Sequence, residues 1–257
     1  MTDKSASAIV AAARSDQKIT TKELIQQLFP DFIELHGDHL GTDDPAIIGG
    51  LASFNNQPVT VIATDRGKTV EKRMATHFGC PTPGGYRKAL RLAKQAAKFH
   101  RPILFFVNTP GAYPGKSAEE NGQGAAIADN LLQIAQLPTP IITVIFGEGG
   151  SGGALALACG DAVWMLANST YSILSPEGFA SILWKDSRRA GEAAEIMQLT
   201  PTSLLKKQVI EGIIAEPADH QQVTENISAV LTRELTRLEQ YSPEELMNKR
   251  HQRYRKF

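Results

Sequence analysis

The chain has 257 residues, 42% of them apolar, and its 27 Lys plus Arg balance 27 Asp plus Glu. That is enough apolar material for a full core, and zero net charge excludes a global field that would draw the protein to nucleic acid or to an acidic membrane surface. The apolar runs break at Gly, Asp or Pro before spanning length, the start MTDKSASAIVAAARSD carries an early Asp and no cleavage pattern, and Cys80 and Cys159 lack CxxC spacing or His companions. These features predict a cytoplasmic protein without a zinc site or a disulfide framework, its two cysteines acting as small packing residues.

Residues 1–30 read as helical, with a capping box at Thr20-Thr21-Lys22-Glu23 ahead of Leu24, Ile25 and Leu28, and are expected to form an outer layer. From Phe32 the pattern changes to short apolar β-type runs: AIIGGLASF and PVTVIAT, separated by the polar turn Asn55-Asn56-Gln57, predict a hairpin entering a sheet. The Gly/Pro-rich FGCPTPGGY then leads into a helix from Tyr86 to Phe99 that sets Arg87, Arg91, Lys94 and Lys98 on one face. Two similar units follow, each a strand, a glycine-bearing loop and a helix: ILFFVN with TPGAYPG, whose helix opens on a capping box at Ser117-Ala118-Glu119-Glu120, and IITVIF with GEGGSGG. AVWML and YSIL read as strands, a helix follows Pro176-Glu177-Gly178, and two helices run from His220, the second opening at Ser242-Pro243-Glu244-Glu245. The tail KRHQRYRKF reads as a basic, frayed helix end. No composition break marks a linker, so residues 1–257 are expected to form one α/β domain: a helical region (1–30), a core (31–217) and C-terminal helices (218–257).

Five glycines fall within the seven residues Gly147 to Gly153, straight after an apolar strand. Each costs conformational entropy, so something requires bare backbone. Three chemistries fit. Gly147 to Gly152 satisfies G-x-G-x-x-G, with Glu177 at a ribose-acid spacing, but the run follows several strands instead of opening the fold. Gly149-Gly150-Ser151-Gly152-Gly153 also fits the G-x-S-x-G elbow, with Asp186, Asp219 and His220 downstream, yet side chains adjacent in sequence such as Asp219 and His220 rarely face each other. In the third, consecutive N–H groups at a helix entrance hold an oxyanion or enolate without any side chain. Close helix–strand packing accounts for two such glycines more comfortably than for five.

The stretches GDHLGTDDPAIIGG, FGCPTPGGYRKALRLA, NTPGAYPGKSAEENGQG, GEGGSGGALA and STYSILSPEGFASILW, in this order, closely resemble the carboxyltransferase α-subunit family of bacterial acetyl-coenzyme A carboxylases. The resemblance runs from about Phe32 to Pro217. It implies a crotonase-like α/β fold, a spiral of ββα units with helical additions at both termini. It also implies transfer of a carboxyl group from carboxybiotin, borne by a biotin carboxyl carrier protein and not bound covalently to this chain, to acetyl-CoA, giving malonyl-CoA for fatty-acid synthesis. Activity would require a β subunit, in an assembly of two α with two β, with biotin carboxylase in the larger complex. The family's zinc ribbon belongs to the β subunit, so no metal is expected in this chain.

The resemblance assigns the oxyanion hole on the biotin side to the backbone N–H groups of Gly152 and Gly153, supported by Gly149 and Gly150, with Gly111 and Ala112 lining the same cleft. Ser151 is then only a small residue of the loop. The cationic face Arg87, Arg91, Lys94 and Lys98, with nearby Arg66, Lys68, Lys72 and Arg73, either meets coenzyme A phosphates or an acidic carrier domain, or is simply solvated. Two departures stand out: the N-terminal region is shorter than in many members, and His39 follows Gly37-Asp38 where many carry Arg.

Overall fold

A computed structural model describes residues 4–257. Ser5 caps α1 (Ala6–Ala13), and the Thr20/Glu23 capping box opens α2 (Thr21–Leu28), as the spacing predicted. After the short β1 (Ile33–Glu34), β2 (Ile47–Phe54) and β3 (Gln57–Thr64) form the expected hairpin. Its turn is only Asn55 and Asn56, at φ 50° and 63°, because Gln57 already pairs with Phe54. A two-residue hairpin needs left-handed residues at both positions, which asparagine tolerates.

Beyond it lie α3 (Val70–Ala75), α4 (Pro83–Lys98), β4 (Ile103–Thr109), α5 (Lys116–Glu120) and α6 (Gln123–Ile134). The predicted capping box at Ser117 does not form: Gly115 is the N-cap, Ser117 lies inside the first turn, and the chain breaks at Gly122, φ 82°, before α6 starts. Next come β5 (Ile141–Gly150), α7 (Ser151–Leu155), β6 (Ala162–Leu166), β7 (Thr170–Ser172), α8 (Pro176–Trp184), α9 (Ala190–Met197), α10 (Pro201–Lys206) and β8 (Gly212–Ile214). The chain closes with α11 (His220–Leu238) and α12 (Pro243–Tyr254), the latter opening at Ser242 as expected, where the structure adds a Ser242/Glu245 capping box.

The strands form one sheet in the order β1-β2-β3-β4-β5-β6-β8, parallel from β3 onward, with β7 alongside the end of β5. Strand side chains alternate faces, so Phe106, Val144 and Phe146 join α2 and α11 through Leu24, Phe29, Ile227 and Leu231, while Phe105 and Ile145 join α4 and α7 through Tyr86, Leu92 and Ala154. Burial on both faces explains why β4 to β6 read as unbroken apolar runs.

The basic tail is anchored as far as Tyr254 and frays only beyond it. Arg250 is buried against Asp161, the Arg253 guanidinium grips Glu211 at 2.7 Å and the Val209 carbonyl at 2.8 Å, and the Tyr254 hydroxyl reaches the Ala158 and Gly160 carbonyls at 2.9 and 3.0 Å. Arg250, Arg253 and the Tyr254 hydroxyl are ligands of the core, whereas Lys249, Arg255 and Lys256 are exposed. No helix among the described residues is long and apolar enough to cross a membrane.

Candidate active site

The glycine run is not a loop. β5 continues through Gly147, Glu148 and Gly149 to Gly150, and α7 begins at the next residue. Ser151 makes the reversal alone, at φ 55°. On one side β7 pairs with Glu148, Gly149 and Gly150; on the other, β4 shifts register between Val107 and Thr109 so that Thr109 meets Gly149. The first N–H groups of α7 have no intrahelical acceptor, as at any helix start.

The neighbours of each glycine divide the run. A Cβ on Gly147 would enter the Asn108 carboxamide, one on Gly150 would strike the Pro110 carbonyl, and one on Gly153 would strike Ala112 N and come within 2.6 Å of the Tyr86 hydroxyl. Gly149 is tight against Tyr171 and Thr170, at 3.0 and 3.1 Å. Only Gly152 is free, its nearest neighbour being Ile127 Cγ2 at 3.7 Å. Packing therefore demands more of the glycines than the sequence suggested, because Gly150 and Gly153 meet another backbone instead of a helix side. That backbone is Pro110-Gly111-Ala112, so both glycine segments meet at one place. Gly111 adopts φ 144°, and Thr109 Oγ1 pins it from both sides, accepting from its N–H at 3.1 Å and donating to its carbonyl at 2.9 Å.

Glu148, which the sequence did not single out, is the charged member of the run. Its carboxylate accepts from Arg14 Nε at 2.7 Å and from an Arg66 guanidinium nitrogen at 2.6 Å, and its N–H donates to Asn108 Oδ1 at 3.0 Å. Arg14 also forks onto Glu177, at 2.7 and 3.2 Å. Hydrogen bonding to Glu177, opposed by burial and reinforced by Glu148, holds the Arg14 guanidinium above its ordinary range. An acidic residue on a strand buried on both faces was the available signal, since such a charge must find partners.

The rival chemistries do not assemble. Ser151 has the left-handed backbone of an elbow, but Asp186 binds Arg188, Asp219 caps α11, and the His220 ring bonds the Gln17 carbonyl at 2.9 Å. Glu177, the candidate ribose acid, is held by Arg14.

The cationic face of α4 splits as well. Arg87 Nε donates to Asp38 at 2.8 Å and Arg91 to the Gly37 and His36 carbonyls at 2.9 and 3.1 Å, bracing the 36–44 loop, while Lys94 and Lys98 are exposed. Lys88, outside the predicted face, is the buried cation of the helix, donating to Asp43 at 2.7 Å and to the Ile47 carbonyl at 2.9 Å. Of the neighbouring cations, Arg66 binds Glu148, Arg73 binds Asp16, and Lys68 lies 3.7 Å from Glu23.

A model of the family described as acetyl co-enzyme A carboxylase carboxyltransferase-like matches residues 2–257. The chain belongs to that family. It is 52% identical to the acetyl-coenzyme A carboxylase carboxyl transferase subunit alpha of Streptococcus gordonii over 97% of this chain and 98% of that one. It is 51% identical to the protein of the same name from Streptococcus pyogenes serotype M12 over the whole of both chains. With its namesake in Halalkalibacterium halodurans it shares 52% identity over 96% of this chain and 78% of the other. Among solved structures, transcarboxylase 12S superposes with a TM-score of 0.68 at 18% identity, over 84% of this chain and 42% of that chain. The beta subunit of P. aeruginosa geranyl-CoA carboxylase gives 0.67 at 15%, over 91% and 45%. The fold is the crotonase-like α/β fold of these carboxyltransferases.

Proposed function

We propose that this chain, as the α subunit of an acetyl-CoA carboxylase carboxyltransferase, works with a β subunit to move the carboxyl group of carboxybiotin to acetyl-CoA, forming malonyl-CoA. The observation that carries the assignment of the site is the β5–α7 turn: at Gly152 an added Cβ would meet only ordinary contact, Ile127 Cγ2 at 3.7 Å, beside the fixed segment Pro110-Gly111-Ala112.

Carboxyl transfer places negative charge on the biotin ureido oxygen and on the thioester enolate oxygen, and each is stabilised by donors already in position. The N–H groups of Gly152 and Gly153 supply one such set, with Gly149 and Gly150 supporting them and Gly111 and Ala112 lining the cleft. The missing side chain of Gly152 leaves room for a flat ring to approach main chain. Carboxybiotin, when bound, supplies the carboxyl group and, after loss of CO2, the base that takes the methyl proton. This chain then contributes no side-chain nucleophile; it orients and stabilises charge.

A partner is supported by the apolar side chains left on the surface after β7, on and beside α8 and α9: Ile173, Ile182, Leu183 and Ile196, the first 86% exposed. The solved neighbours are also more than twice as long as their matched parts, which fits an activity completed by a second half. We place the protein in the cytoplasm, in a complex of two α with two β that meets the biotin carboxyl carrier protein and biotin carboxylase.

The test is co-expression with the β subunit and a malonyl-CoA decarboxylation assay with biotin. The chain alone is expected to be inactive. Gly152→Val should fold and assemble but lose turnover by about a hundredfold, as for loss of one oxyanion donor. A near-normal rate in the assembled variant would overturn the site.

A further inference from the structure

We propose that Arg14 is a positioning residue for carboxyl transfer: from the N-terminal helix it holds Glu148, and through Glu148 the glycine turn. The inference rests on the assignment of that turn given above.

Between Gly147 and Gly153 only Glu148 and Ser151 carry side chains, and Ser151 is exposed. The strand ladder there is irregular, since β4 has shifted register between Val107 and Thr109. Glu148 is thus the one side chain by which the run is tied to the body of the protein. One tie is Arg66, just beyond β3, at 2.6 Å; the other is Arg14 at the C-terminal cap of α1, at 2.7 Å. Arg14 is itself braced by its two-point contact with Glu177 in α8. Ala6 and Val10 of the same helix pack on Ala194 and Leu199, so the arginine projects from a fixed support.

Charge points the same way. Arg14 and Arg66 balance Glu148 and Glu177, whereas an unbalanced Glu148 carboxylate beside a developing oxyanion would oppose it. A guanidinium binds two carboxylates at once in a rigid planar fork; an ammonium carries its three donors on a flexible stem and fixes the geometry less.

The experiment uses the assembled α–β complex and the variants Arg14→Gln, Arg14→Lys, Glu148→Gln and the Arg14→Gln/Glu148→Gln double. Turnover per assembled complex, KM for biotin, thermal midpoint and assembly are measured together. We expect Arg14→Gln and Glu148→Gln each to lower kcat about tenfold with little change in KM, and the double variant to lose no more than either alone. Arg14→Lys should recover part of the loss, and it carries the test if Arg14→Gln fails to assemble. Wild-type kcat per complex with only a lowered thermal midpoint, or losses that multiply in the double variant, would overturn the proposal. Gly152→Val is run beside them. If it also retains full turnover, the turn is not the site; if it loses turnover while the Arg14 variants do not, the site stands and this inference fails.

Discussion

Arg250 and Asp161, 89 residues apart in sequence, form a fully buried two-point ion pair, with both nitrogen–oxygen distances at 2.8 Å. The other guanidinium protons reach the Leu137 and Thr139 carbonyls at 2.8 and 2.9 Å, and Asp161 accepts the Ile141 N–H at 2.8 Å. One residue of α12 thereby satisfies the end of α6 and the loop that leads to β5, while Asp161 holds the start of that strand. Arg250→Met leaves a buried carboxylate without its counter-charge and should cost about 3–5 kcal/mol in urea unfolding. A loss under about 1 kcal/mol would show that the pair is dispensable.

Gly153→Ala should be costly although it adds one methyl, because its neighbours at that point are the Ala112 backbone and the buried Tyr86 ring. Gly152→Ala, with open space and a helical position, should be neutral or stabilising by up to about 1 kcal/mol. Thermal midpoints of the two variants, measured side by side, decide this; equal values would contradict the packing described.

Acid should loosen the 36–44 loop from α4. Burial alone would raise the Asp43 carboxyl, but hydrogen bonds from Lys88, the Gly37 N–H and His36 outweigh it and bring it from 3.8 to about 2. Asp38 is likewise held well below its ordinary range, with burial outweighed by the Thr42 and Leu40 N–H groups, Arg87 and the Thr42 hydroxyl. A carboxyl depressed by folding contributes stability above its unfolded pKa and loses it as pH falls through the folded one, here from about 4 downward to about 2. Asp43→Asn should flatten the pH dependence of the thermal midpoint in that window. Parallel curves for variant and parent would refute it.

Ser151→Ala should keep most of the turnover, and reagents that label activated serines should leave the protein unmodified. Ser151→Gly should be tolerated or stabilising, since φ 55° is unfavourable for an L-residue by about 1–2 kcal/mol. Stoichiometric labelling at Ser151 would reinstate the hydrolase chemistry.

What could be read from the sequence was what short-range chemistry decides. The capping box at Thr20 formed because its partners lie three residues apart on a helix that continues, and the helix start read at Ser242 held for the same local reason. The one at Ser117 failed because Gly115 takes the cap position and Gly122 breaks the helix. The glycine run was visible as composition, but its geometry is set from outside it, by Asn108, Pro110 and Ala112 across the β4–β5 boundary. Arg14 and Glu148 are 134 residues apart, and no local pattern joins them. Arg250 was misread for the same reason: among basic neighbours a buried arginine looks like a surface one until Asp161 is brought beside it.

The Arg250–Asp161 pair also sets a timetable. At a synthesis rate of about 5–20 residues per second, the 89 residues between them take roughly 4 to 18 s to make. For that interval the emerging β5–β6 region carries a carboxylate whose burial without its counter-ion is costly. That cost favours a nascent sheet that stays open there, or keeps that edge wet, until α12 arrives to close it.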